Sequence, residues 1–117
     1  MKDFRELLDA NCIKNFKMFS YRVMKWIKVG NYQLSIQASG SHYCEPQQTL
    51  RDLKNYISME VGIFKNNEWI NIRNDSFFDD WKYRMEFLEN YDGMVAGYVP
   101  INIIQSLYDY IEGNRYD

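Results

Sequence analysis

Apolar residues near the start of the chain recur at the three- and four-residue spacing of an amphipathic helix: Phe4, Leu7, Leu8 and Cys12. Asp3 followed by Glu6 is typical of a helix N-terminus, because both side chains can cap free backbone N–H groups. We therefore expect a helix over residues 3–15.

The apolar period changes to two from residue 21, which predicts a β-hairpin. Apolar and polar residues alternate to Val29, Gly30-Asn31 interrupts the run, and the alternation resumes over residues 32–38. The expected cross-strand pairs, all on one sheet face, are Val29 with Tyr32, Ile27 with Leu34 and Val23 with Ala38.

A second alternating stretch over residues 57–72 predicts another hairpin, with its turn at Asn66-Asn67. The expected pairs are Lys65 with Glu68, Phe64 with Trp69, Ile63 with Ile70 and Val61 with Ile72. Opposite charges and apolar side chains both match across the strands, which favours this register.

The last part of the chain predicts a loop over 74–80, a helix over 79–89 and a strand over 94–99. Pro100 suits the first turn of a final helix, and Gly113 is a suitable stop. The expected fold class is α+β, with about five mainly antiparallel strands, formed by two hairpins plus one strand, and an N-terminal and a C-terminal helix. We expect a single domain over 1–117, in which 1–19 form the N-terminal helix and junction and 20–117 the sheet and the C-terminal helix.

Aromatic residues are abundant, at 20 of 117. On both hairpin registers Trp26, Phe64 and Trp69 fall on the face opposite the Ile and Val residues. This second face either packs beneath another part of the chain or binds a partner, since exposed aromatic side chains are characteristic of interfaces. With Tyr98, these rings could also stack on bases.

Charge is unevenly distributed. Residues 1–72 hold 10 Lys/Arg and 7 Asp/Glu, whereas residues 73–117 hold 4 and 9. No basic footprint for nucleic acid is present, so direct nucleic-acid binding is not expected. Asp75, Asp79, Asp80 and Glu86 could face a basic surface of a partner, although a solvated helix N-terminus is the simpler explanation of the three aspartates.

The count of ligating residues excludes several kinds of site. One His and two Cys exclude a site with two imidazoles, a Cys₄ zinc site and a disulfide framework, and no Gly-rich phosphate loop is present. We expect no metal, no cofactor and no enzymatic activity.

His42-x-Cys44 is the one pattern that could form a thiolate–imidazole pair. A nucleophilic site also needs an orienting group and an oxyanion hole, which the sequence does not supply, so a structural Cys44 is the simpler interpretation. The alternative is a small-molecule or nucleotide site that uses Arg22, His42, Tyr43 and Cys44, with Trp26 beside it.

The opening residues carry charges of both signs and no apolar core, unlike a secretory signal, and the uncharged runs are too polar to span a membrane. We expect a cytoplasmic protein in a bacterial cell, with Cys12 and Cys44 as free thiols.

Four segments carry a resemblance: 34–39 (LSIQAS), 42–46 (HYCEP), 59–62 (MEVG) and 97–100 (GYVP). Together they resemble a group of small proteins from phages and other bacterial mobile elements, over about residues 26–111. Members often carry Arg where Gln47 stands, so an anion contact there is not carried over. The resemblance implies a bacterial intracellular setting and supplies no activity.

These observations favour a non-enzymatic protein that binds a host protein stoichiometrically, of the kind that inhibits host defence as an anti-CRISPR or anti-restriction factor. Its expected binding residues are Trp26, Phe64, Trp69, Asp75, Asp79, Asp80 and Glu86.

Overall fold

The structure, a computed structural model, describes residues 2–9 and 22–114. Within these two ranges, five strands form one antiparallel sheet: β1 Ile27–Val29, β2 Tyr32–Gln37, β3 Ser58–Lys65, β4 Glu68–Trp69 and β5 Val95–Pro100. The described part of the second half also holds two α-helices, α1 Arg84–Glu89 and α2 Ile101–Asn114. The α+β class predicted from the sequence is confirmed.

Strand β3 is the centre of the sheet. One edge of β3 pairs with β2, which in turn pairs with β1. Its other edge is shared, because β5 pairs with the first half of β3 and β4 with Phe64 and Lys65 at its end. Two strands therefore lie end to end along one edge of β3.

Most of the predicted pairing is confirmed. Ile27 lies opposite Leu34 and Val29 opposite Tyr32. Phe64 lies opposite Trp69 and Lys65 opposite Glu68. Asn66 and Asn67 both take positive φ values, 54° and 65°, as a two-residue hairpin turn requires.

Two predicted pairs are wrong. Val61 lies opposite Ala96 of β5, not opposite Ile72. Since β5 occupies that edge, β4 ends at Trp69 and Ile72 enters a 3₁₀ turn over Ile72–Asn74. Val23 forms no ladder pair with Ala38, since β1 begins only at Ile27.

The first hairpin is instead closed by a side chain. Gln37 Oε1 accepts from the Met24 N–H at 2.7 Å, and Gln37 Nε2 donates to the Met24 carbonyl at 2.9 Å. A buried amide thus takes the place of the next backbone pair.

The first two predicted helices are shorter than expected. A single 3₁₀ turn spans Phe4–Leu7, capped by Asp3, and Leu8 is already extended. Residues 10–15, Cys12 and the junction of the sequence-based prediction lie outside the described residues. The second helix begins at Arg84 rather than at 79, after a 3₁₀ turn over Ser76–Phe78.

Helix α2 begins directly after Pro100 and covers one face of the sheet. Its buried stripe lies against the aliphatic residues of the strands and consists of Ile103, Ile104, Leu107, Tyr108 and Ile111. We call this side of the sheet the core face and the opposite side the outer face. No helix in the described part of the chain is long and apolar enough to cross a membrane.

Candidate functional site: an aromatic band on the outer face

Three aromatic rings form a stack on the outer face. The Phe64 ring lies between Trp26, with centroids 4.0 Å apart, and Trp69, with centroids 4.1 Å apart. Phe64 is only 4% exposed, whereas Trp26 and Trp69 are 43% and 42% exposed. The stack therefore buries its central ring and presents two indoles to the surroundings.

A glycine makes room for one of these indoles. A Cβ atom on Gly62 would lie 2.5 Å from Cζ3 of Trp69, closer than real Cβ contacts allow. Gly62 occupies an outer-facing position of β3, two residues before Phe64. Trp69 can lie over the sheet only because this position has no side chain.

A second pair of rings extends the outer face toward the other end of β3. Tyr43 and Tyr98 have ring centroids 5.9 Å apart and are 54% and 42% exposed. Tyr43 packs over Gly97, where a Cβ would lie 2.9 Å from the Cβ of Tyr43. We call the set Trp26, Phe64, Trp69, Tyr43 and Tyr98 the aromatic band.

Backbone hydrogen bonds fix Tyr43 on both sides. Its N–H donates to Glu60 Oε2 at 3.0 Å, and its carbonyl accepts from the Tyr98 N–H at 3.0 Å. Tyr98 has φ 54°, at a register irregularity where β5 gains one residue relative to β3. Such a bulge redirects a side chain, and here it brings Tyr98 beside Tyr43.

The strand residues of the outer face carry little charge. Lys28 and Glu60 contribute one charge of each sign, and the other polar positions are Gln33, Ser35, Gln37 and Ser58. The band is therefore apolar and aromatic with a polar surround of almost no net charge, and the strands offer no row of cations to a phosphate backbone.

The acidic residues predicted for the partner surface do not join the band. Asp75 serves the fold: its Oδ2 accepts from the Tyr32 hydroxyl at 2.7 Å and its Oδ1 from the Phe77 N–H at 3.0 Å. Tyr32 lies on the core face, so the segment that begins at Asp75 belongs to the α2 side of the sheet. Asp79 and Asp80 are exposed beyond it.

Asp80 lines a shallow cleft of about 520 Å³ against α2, together with Lys82, Tyr83 and Asp109. Glu86 is exposed on α1. Within residues 2–9 and 22–114, no group of three or more His, Cys, Asp or Glu is placed to hold a metal ion. The structure thus places Asp75 on the side of the sheet opposite the aromatic band, so the predicted surface is not one continuous patch.

Arg22, predicted as a ligand residue, is buried and bound to the protein itself. It is 1% exposed, and its guanidinium donates to the carbonyls of Leu50 and Ala38, both at 2.7 Å, and to the Tyr56 hydroxyl at 3.2 Å. These bonds join the segment before β1 to the loop after β2. They favour a structural role for Arg22 over the ligand site.

His42 and Cys44 lie close to Arg22, and each of them bonds to groups within its own loop. His42 Nδ1 is 2.7 Å from Ser39 Oγ, and the Cys44 thiol donates to the carbonyls of Ser39 and Pro46 at 3.3 and 3.4 Å. Burial raises the pKa of the Cys44 thiol, whereas a nucleophilic cysteine needs a lowered pKa. The geometry thus favours the structural interpretation of Cys44.

Sequence reasoning missed Glu60, Ser39 and the pairing of Tyr43 with Tyr98. Glycine at outer-facing strand positions was the available signal for the two ring contacts, because it often marks a close approach of another group.

No known protein family, curated protein or solved structure gives a significant match to the chain.

Proposed function

We propose that the protein is a non-enzymatic binding protein whose aromatic band docks onto the surface of a folded partner protein. One observation carries this proposal: four aromatic side chains, each more than 40% exposed, share one face of a rigid sheet. Tyr and Trp contribute disproportionately to binding energy at protein interfaces.

The arrangement of the rings supports binding rather than mere exposure. Phe64, Gly62 and Gly97 hold the rings in place before a partner arrives. A surface that is already ordered loses little side-chain entropy on binding, so more of the contact energy appears as affinity.

The charge on the outer face supports a protein partner over a nucleic acid. Binding to single strands combines stacking rings with a cationic groove, whereas Lys28 and Glu60 leave this face close to neutral. The partner that fits is a surface with an apolar centre and a polar, weakly charged rim.

The resemblance to small phage proteins favours a bacterial host protein as the partner and inhibition of host defence, of the anti-CRISPR or anti-restriction type, as the result. Such an inhibitor acts by occupying its target, so inhibition should saturate at about one copy per target site.

A plating assay tests the proposal. Phage plating is measured on defence-bearing bacteria that express the wild type, the double variant Trp26→Glu and Trp69→Glu, or Met85→Glu, with folding of each variant checked by circular dichroism. Met85 is a matched control because it is 66% exposed on α1, the helix whose Phe87 packs against Trp81, which in turn donates to Ser106 of α2 on the core face.

The wild type and Met85→Glu should restore plating under at least one defence system, and the folded double variant should not. Full activity of the double variant would overturn the role of the band. Tight binding of a labelled single-stranded oligonucleotide would indicate that the partner is a nucleic acid and not a protein.

A further inference from the structure

One buried imidazole holds together the loop that carries Tyr43. His42 is 8% exposed, and its Nδ1 bonds with the hydroxyl of the fully buried Ser39. The same hydroxyl accepts the N–H of Ser41 at 3.2 Å, and the His42 carbonyl accepts the N–H of Cys44 at 3.0 Å. His42 thus fills the interior of the loop while the next residue projects from it.

Charged groups reach His42 from two other parts of the fold. Arg22 contributes a buried cation from the segment before β1, and Glu60 contributes a carboxylate from β3. The Cys44 thiol and the Tyr56 hydroxyl bond to Ser39 and Arg22 respectively; burial raises the pKa values of both groups, so they stay uncharged near neutral pH.

We propose that protonation of His42 releases the loop over residues 39–46, so that the aromatic band is complete only while this imidazole is neutral. This inference rests on the proposed function for its biological meaning, since it describes regulation of the same surface.

Four effects determine how readily His42 takes up a proton in the closed loop. An imidazolium would lose its hydration in the loop, and it would face the Arg22 guanidinium; both effects oppose protonation, whereas Glu60 favours it. Burial is the largest of these and lowers the pKa of His42. A Ser39 hydroxyl that donates to Nδ1 would also lose its acceptor when that nitrogen takes a proton.

The direction of the pH dependence follows from the lowered pKa. In the opened loop, His42 has the ordinary histidine pKa of about 6.5. The opened loop therefore binds the proton more readily than the closed loop. The closed loop is therefore fully stable above that pH and loses stability as the pH falls below it. One proton can change the opening equilibrium by at most about tenfold per pH unit.

Amide hydrogen exchange measured by NMR on the free full chain tests the proposal. The Tyr43 N–H donates to Glu60 and the Tyr98 N–H to the Tyr43 carbonyl. The protection factors of these two amides are compared with those of β3 at about pH 7.5 and about pH 5.5, on either side of the ordinary histidine pKa. In the wild type, protection of these two amides should fall by about threefold to tenfold more than protection of β3.

Two variants identify the responsible group. His42→Gln cannot take up the proton, so its loop protection should not change with pH. Glu60→Gln keeps an acceptor for the Tyr43 N–H but removes the carboxylate that favours protonation of the closed form. Its loop should therefore lose more protection than the wild type between the two pH values.

Equal pH dependence in the wild type and His42→Gln would overturn the proposal. If His42→Gln does not fold, a smaller pH effect in Glu60→Gln than in the wild type would overturn it instead. The exchange experiment uses the free chain, so a negative result there would not contradict the proposed binding function. A negative plating result, in turn, would not contradict the loop transition.

Discussion

Trp69 lies directly over Gly62, so closely that the Cβ missing from this glycine would sit 2.5 Å from the indole. The contact couples Gly62, which lies on the central strand two positions before Phe64, to the exposed ring of Trp69, which lies directly opposite Phe64. It also makes the position of Trp69 sensitive to a single methyl group.

We predict that Gly62→Ala displaces Trp69 and lowers the free energy of unfolding by about 1–3 kcal/mol, as is usual for overpacking. Chemical denaturation and tryptophan fluorescence measure the two effects. In a Trp69→Ala background the obstacle is gone, so the same Gly62→Ala change should be neutral or slightly stabilising. Equal costs in both backgrounds would contradict the contact.

The centre of the stack should matter more to stability than its ends. Phe64 is nearly fully buried between two indoles, so Phe64→Ala should lower the free energy of unfolding by about 3 kcal/mol and shift tryptophan emission to the red. Trp26→Ala removes a half-exposed ring and should cost less. Urea unfolding of both variants tests this order, and the reverse order would contradict the stack.

Arg22→Lys should destabilise the protein even though it keeps the charge. An ammonium group cannot reach the carbonyls of Leu50 and Ala38 with the planar geometry of a guanidinium, and buried acceptors would be left unbonded. We expect a loss of about 3 kcal/mol in urea unfolding. Arg51→Lys, at an exposed position, is the control and should change stability by under about 0.5 kcal/mol. Unchanged stability in Arg22→Lys would return Arg22 to the ligand alternative.

Alkaline pH should unfold the protein through its tyrosines. Burial is the main cause that raises the pKa of Tyr32, and the hydrogen bond to Asp75 raises it further. Burial also raises the pKa values of Tyr56, Tyr91 and Tyr110. The folded state therefore holds these protons more tightly than the unfolded state. Stability is fully present below the unfolded tyrosine pKa of about 10 and falls as the pH rises above it.

Thermal unfolding from about pH 8 to about pH 11 measures this loss against the unfolded tyrosine pKa. Tyr32→Phe should show a shallower decline, by at most about 1.4 kcal/mol per pH unit, because one titrating group is gone. A decline as steep as that of the wild type would show that Tyr32 does not contribute.

The hairpins could be predicted from the sequence because the residues that define each one lie close together in the chain. The two-residue period and the Asn66-Asn67 turn define a register within about ten residues on each side. The failed pair of Val61 with Ile72 has a non-local cause, since β5 comes from more than thirty residues further along the chain and takes the same edge of β3.

The same distinction holds for the candidate site. The shared face of Trp26, Phe64 and Trp69 followed from strand alternation alone. The second half of the band did not, because Tyr43 reaches Tyr98 through a loop contact, a bulge and a hydrogen bond to Glu60 that no periodic pattern encodes. Strand alternation also did not predict that Asp75 lies away from the band. Asp75 accepts a hydrogen bond from Tyr32, which lies on the core face.

Site-specific photo-cross-linking tests the central claim most directly. A photoreactive phenylalanine analogue is placed at Trp69, Tyr98 or Met85 in the full chain, expressed in the bacterial host and irradiated. We predict that positions 69 and 98 cross-link to one and the same host protein, in competition with unlabelled wild type, and that position 85 does not. Cross-linking of that protein from position 85 alone, or no cross-link from positions 69 and 98, would contradict a binding role for the outer face.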